Sequence, residues 1–273
     1  MLYRDTVEAT AAIAVKKTRF LRERPIGYLL GSMLAGAYVG LGIVLIFSIG
    51  APLAASNDPF RAALMGASFG IALSLVIIGG AELFTGNNLT MVCGLWLRQT
   101  SARDLVDIWV VSWIGNLIGS VCLAAMVWLS GAAVTKAGAF VTTIALAKVS
   151  APVGPLFLKA VLCNWLVCLA VWTSIRATSD SAKLVMIFWC LFAFISSGFE
   201  HSVANMTLLT LAMLMPATEG LTWSACAYNI VVVTLGNIVG GAVMVAGVYC
   251  YASCPRARQP QEAAAVKEAC VPG

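Results

Sequence analysis

Ser196-Ser197-Gly198-Phe199-Glu200-His201-Ser202-Val203-Ala204-Asn205 lies inside a long apolar run, yet it holds the chain's single histidine beside a glutamate. Ionisable side chains at membrane depth are costly, so they face protein-lined cavities and mark ion or proton pathways. Glycine and small polar residues in the same stretch also weaken a helix. Leu184 to Met215 as one unbroken helix would be about 48 Å long, too much for a hydrocarbon core of about 30 Å. The decapeptide is therefore read as the break in an interrupted crossing. Irregular backbone at this depth survives only where protein buries it or where it lines a cavity.

The class follows from composition: of 273 residues 60% are hydrophobic and only 11% charged, with a mean hydropathy of +0.92. Several windows exceed the ~20 apolar residues that one crossing needs, so the chain reads as an all-α, polytopic membrane protein. The net charge of +5 resides in short segments between spans, with no basic, aromatic-rich face for nucleic acid. Nine cysteines without C-x-x-C spacing read as small packing residues. With one histidine there is no metal ligand set, and no cofactor is expected.

Residues 1–24 are basic and amphipathic and predict a helix along the membrane surface, with no cleaved signal. A six-crossing transmembrane domain follows over 25–253 and a disordered tail over 254–273. The first span is predicted at about Gly27 to Ile49. The second, Ala62 to Leu97, is again too long for one straight crossing, and Gly79-Gly80-Ala81-Glu82-Leu83-Phe84-Thr85-Gly86-Asn87-Asn88 supplies its interruption. Leu105 to Leu129 forms the third, Ser130 to Gly154 a polar-tolerant connection, and Pro155 to Ile175 the fourth. The broken fifth and a sixth from Ser224 to Tyr251 complete the set. Arg98, Arg103, Arg176, Lys183 and the tail cations fall on the side of the basic N-terminus, whereas Arg61, Lys136 and Lys148 fall on the other. The positive-inside rule then puts both termini in the cytoplasm. Lys159, at the start of the fourth span, is read as snorkelling to the outer interface.

The two breaks echo each other, since Gly80-x-Glu82 followed by Asn87 and Gly198-x-Glu200 followed by Asn205 both read G-x-E-x-x-x-x-N. Gly115-Asn116 and Gly236-Asn237 repeat at a similar offset in the spans that come next. Three crossings per half, over about 27–130 and 155–252, make this an inverted repeat. Such repeats bring broken helices together near the midplane, where half-helix N-termini present positive dipole ends to an anion. Gly66-Ala67-Ser68-Phe69-Gly70 spells the nucleophile-elbow pattern of hydrolases, but an elbow needs a strand-to-helix turn, and inside a crossing these residues read as small-residue packing. An enzyme is not expected.

Gly80-Ala-Glu-Leu-Phe-Thr85, Lys159-Ala-Val-Leu-Cys-Asn-Trp-Leu-Val-Cys-Leu-Ala-Val-Trp172, Ser197-Gly-Phe-Glu-His-Ser-Val-Ala-Asn-Met206 and Thr234-Leu-Gly-Asn-Ile-Val-Gly-Gly241 together resemble the formate/nitrite transporter family. Gly36-Ala-Tyr-Val-Gly-Leu-Gly42 and Leu162-Cys-Asn-Trp-Leu-Val167 are most similar to its nitrite branch. The resemblance implies an aquaporin-like protomer, a homopentamer with one path per protomer, and a bacterial inner-membrane location among lipid. It implies that His201 is the central polar residue, with Thr85 facing it, Asn164 near the centre and Lys148 in the outer vestibule. Phe69, Leu73, Leu83, Val167 and Phe194 would form apolar constrictions. Glu82, Asn87, Glu200 and Asn205 are assigned to holding the breaks, Glu200 by accepting freed backbone N–H groups. The implied cargo is nitrite, with formate or hydrosulfide as alternatives. Because a dry apolar ring disfavours an unpaired charge, His201 is expected to donate a proton to nitrite so that neutral nitrous acid passes, making protons the second partner.

Overall fold

A computed structural model describes residues 3–132, 137–216 and 218–253. These are helical, with no strand among the described residues. The elements are α1 (Arg4–Glu23), α2 (Pro25–Ala55), α3 (Arg61–Ser68), α4 (Gly70–Gly79), α5 (Phe84–Trp96), α6 (Ala102–Leu129), α7 (Gly138–Val149), α8 (Val153–Arg176), α9 (Asp180–Ser196), α10 (Ser202–Leu214) and α11 (Trp223–Gly241). A π-helical turn (Ala242–Gly247) and α12 (Val248–Ser253) continue α11. The expected tail over 254–273 lies outside the described residues.

Among the described residues, five stretches are long and apolar enough to cross a membrane: Pro25–Ala55, Arg61–Gly79, Ala102–Leu129, Val153–Arg176 and Trp223–Ser253. α9, 17 residues with Asp180 and Lys183 in its first turn, is shorter than these. α2 packs on α6 and α8 on α11 as the most extensive helix pairings. Backbone contact explains both. A Cβ on Gly119 would collide with the Met33 carbonyl and one on Gly36 with the Asn116 backbone, while Gly240 sits in the same way on the Val161 carbonyl. Small residues let helices approach to backbone distance where lipid offers no hydrophobic drive for association.

α1 buries Val7, Ala11 and Ala14 and fits Ala14 over Gly94 of α5, so its apolar face is spent on protein. The connection expected to be polar-tolerant carries α7, whose Val141, Ala145 and Val149 are buried. The first span reaches Ala55, past the expected Ile49, because Pro52 falls in its last turn and breaks nothing upstream. The π-helical turn was not foreseen; π-bulges leave no mark in hydrophobic periodicity.

Candidate functional site

Two gaps in the helices organise the centre of the molecule. α4 ends at Gly79 and α5 begins at Phe84; α9 ends at Ser196 and α10 begins at Ser202. The turning residues, Gly80 and Gly198, have φ of 79° and 68°, a region that costs an L-residue about 1–2 kcal/mol. Each gap is closed by one asparagine from the following long helix. Asn116 Oδ1 accepts from the Phe84 N–H at 2.9 Å, and its Nδ2 donates to the carbonyls of Ser32 at 2.8 Å and Glu82 at 2.9 Å. Asn237 repeats the pattern: it accepts from the Ser202 N–H at 2.8 Å and donates to the carbonyls of Ala160 at 2.8 Å and Glu200 at 3.0 Å. Backbone groups freed where a helix stops must find partners when buried. The repeated Gly-Asn pairs are visible in the sequence, but their clamping task is not.

The expectation that Glu200 accepts backbone N–H groups is therefore corrected. Its side chain instead takes Lys148 Nζ at 2.7 Å and Asn205 Nδ2 at 2.7 Å, and Asn205 also donates to Asn229 Oδ1 at 2.8 Å. The other gap carries a matching cluster. Glu82 pairs with Lys17 and accepts from Tyr28 Oη at 2.9 Å, and Asn87 Nδ2 donates to Tyr28 Oη at 3.2 Å. Both carboxylates are largely buried, and both keep a lysine and a hydrogen-bond donor, the condition under which a buried ion pair is tolerated. Sequence reasoning missed Lys17, which lies on α1 with no motif around it. The repeat contained the one available signal, because a glutamate equivalent to Glu200 needs a cation equivalent to Lys148.

Between the gaps, His201 caps α10: its Nδ1 accepts from the Ala204 N–H at 3.1 Å. A neutral ring whose Nδ1 accepts carries its proton on Nε2, an assignment made from the network. That N–H points at Thr85 Oγ1, 3.0 Å away on the first turn of α5. Asn164 Nδ2 reaches the Thr85 carbonyl at 3.2 Å, Asn88 Oδ1 at 3.0 Å and the Asn237 carbonyl at 2.6 Å, tying α5, α8 and α11 together at this level. The Phe194 ring stacks on the imidazole at a centroid distance of 6.0 Å, and Phe69 meets Phe194 edge-on at 5.5 Å.

All five residues predicted to form a constriction, Phe69, Leu73, Leu83, Val167 and Phe194, surround one cavity of about 10 Å³ with His201 in its wall. Larger cavities lie on either side. One of about 440 Å³ contains Lys148 and Glu200 in its lining and shares Phe194 and His201 with the small one. The other, of about 340 Å³, contains Lys17 and Glu82 and shares Leu73 and Leu83 with it. Lys159, expected to snorkel to the lipid interface, lines the 440 Å³ cavity. Ser68, in contrast, spends its hydroxyl on the Leu64 carbonyl at 2.8 Å within α3, and Gly66 packs against Phe192 and Ser196. That is helix packing, not an elbow.

The model of the formate/nitrite transporter family matches residues 4–251. The chain belongs to this family. The nitrite transporter NirC of Escherichia coli K12 is 44% identical over 260 residues, 95% of each chain. A solved FNT family ion channel superimposes with a TM-score of 0.87 at 45% identity, covering 92% of this chain and 99% of its own. A pentameric formate channel with formate bound gives 0.72 at 28% identity, covering 85% and 98%. Membership makes this a multi-pass membrane protein of a transporter family.

Proposed function

We propose that the protein carries nitrite across the bacterial inner membrane along a path running from the Lys148 cavity, past His201 and Thr85, to the Lys17 cavity. The observation that supports this most directly is the alignment of two vestibules on either side of an apolar ring with a single hydrogen-bonding centre. Similarity to NirC favours nitrite as the cargo. In this reading α4 with α5, and α9 with α10, are the two halves of broken crossings in an aquaporin-like 3+3 inverted repeat of six crossings. Both termini are cytoplasmic, and five protomers assemble, each with its own path.

An apolar ring this narrow rejects a charge without a partner. Nitrite waits in the outer vestibule, accepts a proton at the level of His201, and crosses the ring as neutral nitrous acid. Phe69, Leu73, Leu83, Val167 and Phe194 form the barrier, Thr85 and Asn164 orient the centre, and Glu82, Asn87, Glu200 and Asn205 hold the two lysines beside the breaks. The test is nitrite flux into proteoliposomes under an imposed pH gradient. His201→Asn and His201→Phe are expected to reduce flux at least tenfold and to flatten its pH dependence. Unchanged flux and pH dependence in both would sink the mechanism. Formate is the second reading, favoured by the formate bound in the pentameric relative; a formate flux exceeding that of nitrite in the same liposomes would replace nitrite as the cargo.

A further inference from the structure

The two vestibules differ in charge. In the Lys17 cavity each cation has a carboxylate: Lys17 pairs with Glu82, and Lys183 Nζ lies 3.0 Å from Asp180. In the Lys148 cavity the one carboxylate, Glu200, is already satisfied by Lys148 and Asn205. Two further cations line that cavity, Arg61 and Lys159, and neither makes an ion pair or a side-chain hydrogen bond among the described residues. Arg61 is held by other means. Its guanidinium lies over the Phe140 ring, 5.6 Å from the centroid, and Phe140 leans on Phe47 at 5.3 Å. An aromatic face positions a guanidinium without neutralising it, so the donors and the charge of Arg61 stay available to a solute in the cavity.

We propose that Arg61 and Lys159 form the capture site for the cargo, holding it as a small monovalent anion in the Lys148 vestibule before it reaches His201. This rests on the transport function proposed above and adds to it the two residues that hold the anion ahead of His201. A neutral acid gains nothing from two uncompensated cations. An anion does. Two unit charges bordering a cavity of this size raise the local anion concentration about threefold at low ionic strength, and less than about twofold near 0.15 M salt, where screening acts over about 8 Å.

The experiment measures subsaturating and saturating nitrite flux in proteoliposomes at low and at physiological ionic strength, at a pH where nitrite is ionised. Wild type is expected to lose about two- to threefold of its subsaturating flux as salt rises. The Arg61→Gln/Lys159→Gln double variant should start near the wild-type high-salt value and respond little to salt, with saturating flux unchanged. Arg61→Lys/Lys159→Arg, which keeps the charges, should restore the wild-type salt response. A double variant with the full wild-type salt response overturns the proposal, as does one that loses saturating flux equally, or a charge-conserving variant that fails to restore the response. If wild type carries formate or hydrosulfide but not nitrite, the nitrite reading falls, and the same salt series on the anion that is carried decides the capture site. If it carries none of the three, both fall.

Discussion

Replacing Asn237 by leucine removes the clamp of the α9–α10 gap while keeping the same branched side-chain outline. Three hydrogen bonds disappear at once, of 2.8, 2.8 and 3.0 Å, and their backbone partners at Ser202, Ala160 and Glu200 are left without a replacement. Inter-helix hydrogen bonds in membrane proteins average about 0.6 kcal/mol each, which sets a floor of about 2 kcal/mol. A buried group left unpaired costs about 1–3 kcal/mol, which lifts the expectation to as much as about 5 kcal/mol, short of full additivity. Equilibrium unfolding of the purified protein in mixed detergent should thus show a loss of about 2–5 kcal/mol. Because Asn116 makes the same three kinds of bond at the other gap, Asn116→Leu should fall in the same range. Hydrogen exchange adds a local readout: the Ser202 amide should lose protection in the first variant and the Phe84 amide in the second. A loss below about 1 kcal/mol in both variants, with both amides still protected, would refute the clamp.

Gly198→Ala meets no atom within 4 Å but is forced to keep φ near 68°, so it should cost about 1–2 kcal/mol by the same unfolding assay, with Gly80→Ala alongside it. Lys148→Met leaves Glu200 buried with Asn205 as its remaining partner. It should destabilise by about 3–5 kcal/mol, and adding Glu200→Gln should recover most of that, with the salt response of flux retained because Arg61 and Lys159 still line the vestibule. Phe194→Ala removes the ring shared by the small cavity and the Lys148 vestibule. Stopped-flow uptake should show faster nitrite entry together with new permeability to larger monocarboxylates; unchanged exclusion of those would place the barrier elsewhere.

The sequence exposes what is expensive. Glycine, asparagine, glutamate and histidine within apolar runs are improbable as lipid-facing residues, so Gly80 to Asn88 and Ser196 to Asn205 stand out unaided, and their common spacing pairs them. The apolar residues around the small cavity were reached through the family pattern, since Leu73 or Val167 looks like any core residue of a helix. What stayed hidden depends on tertiary contact. Lys17 belongs to a basic surface helix where one lysine resembles the next, and only the fold brings it to Glu82. Arg61 and Lys159 read as a loop charge and a snorkelling charge because nothing in a one-dimensional pattern tells whether a cation faces lipid, solvent or a cavity. α7 was missed because twelve residues with threonines and a lysine fall short of a crossing, although the fold had room for a shorter apolar helix. Glu200 was assigned backbone partners because a carboxylate at a helix gap commonly takes them; here the asparagines had already done so.

The tautomer of His201 limits how a proton can be passed. With Nδ1 engaged by the Ala204 N–H, the resting ring offers a single Nε2–H toward Thr85. A neutral ring cannot give that proton away without becoming an anion, so donation to nitrite requires the ring to gain a second proton first. That proton can bind only at Nδ1, which means releasing the cap of α10 and placing a cation at the positive end of the helix dipole, where it is disfavoured. An arriving anion reverses the second penalty: with a negative charge at Nε2 the imidazolium has a partner, and after transfer to nitrite the ring returns to neutrality. Charge at the centre is then tolerated only while cargo is present, which couples the proton to the anion without a moving gate. The alternative is that nitrous acid forms in the vestibule and His201 donates only a hydrogen bond from Nε2. The two separate on one observable. In the first case nitrogen NMR of His201 in the nitrite-bound protein reports both ring nitrogens protonated and the Ala204 amide loses its protection; in the second the Nε2–H tautomer and the capped amide persist at every nitrite concentration.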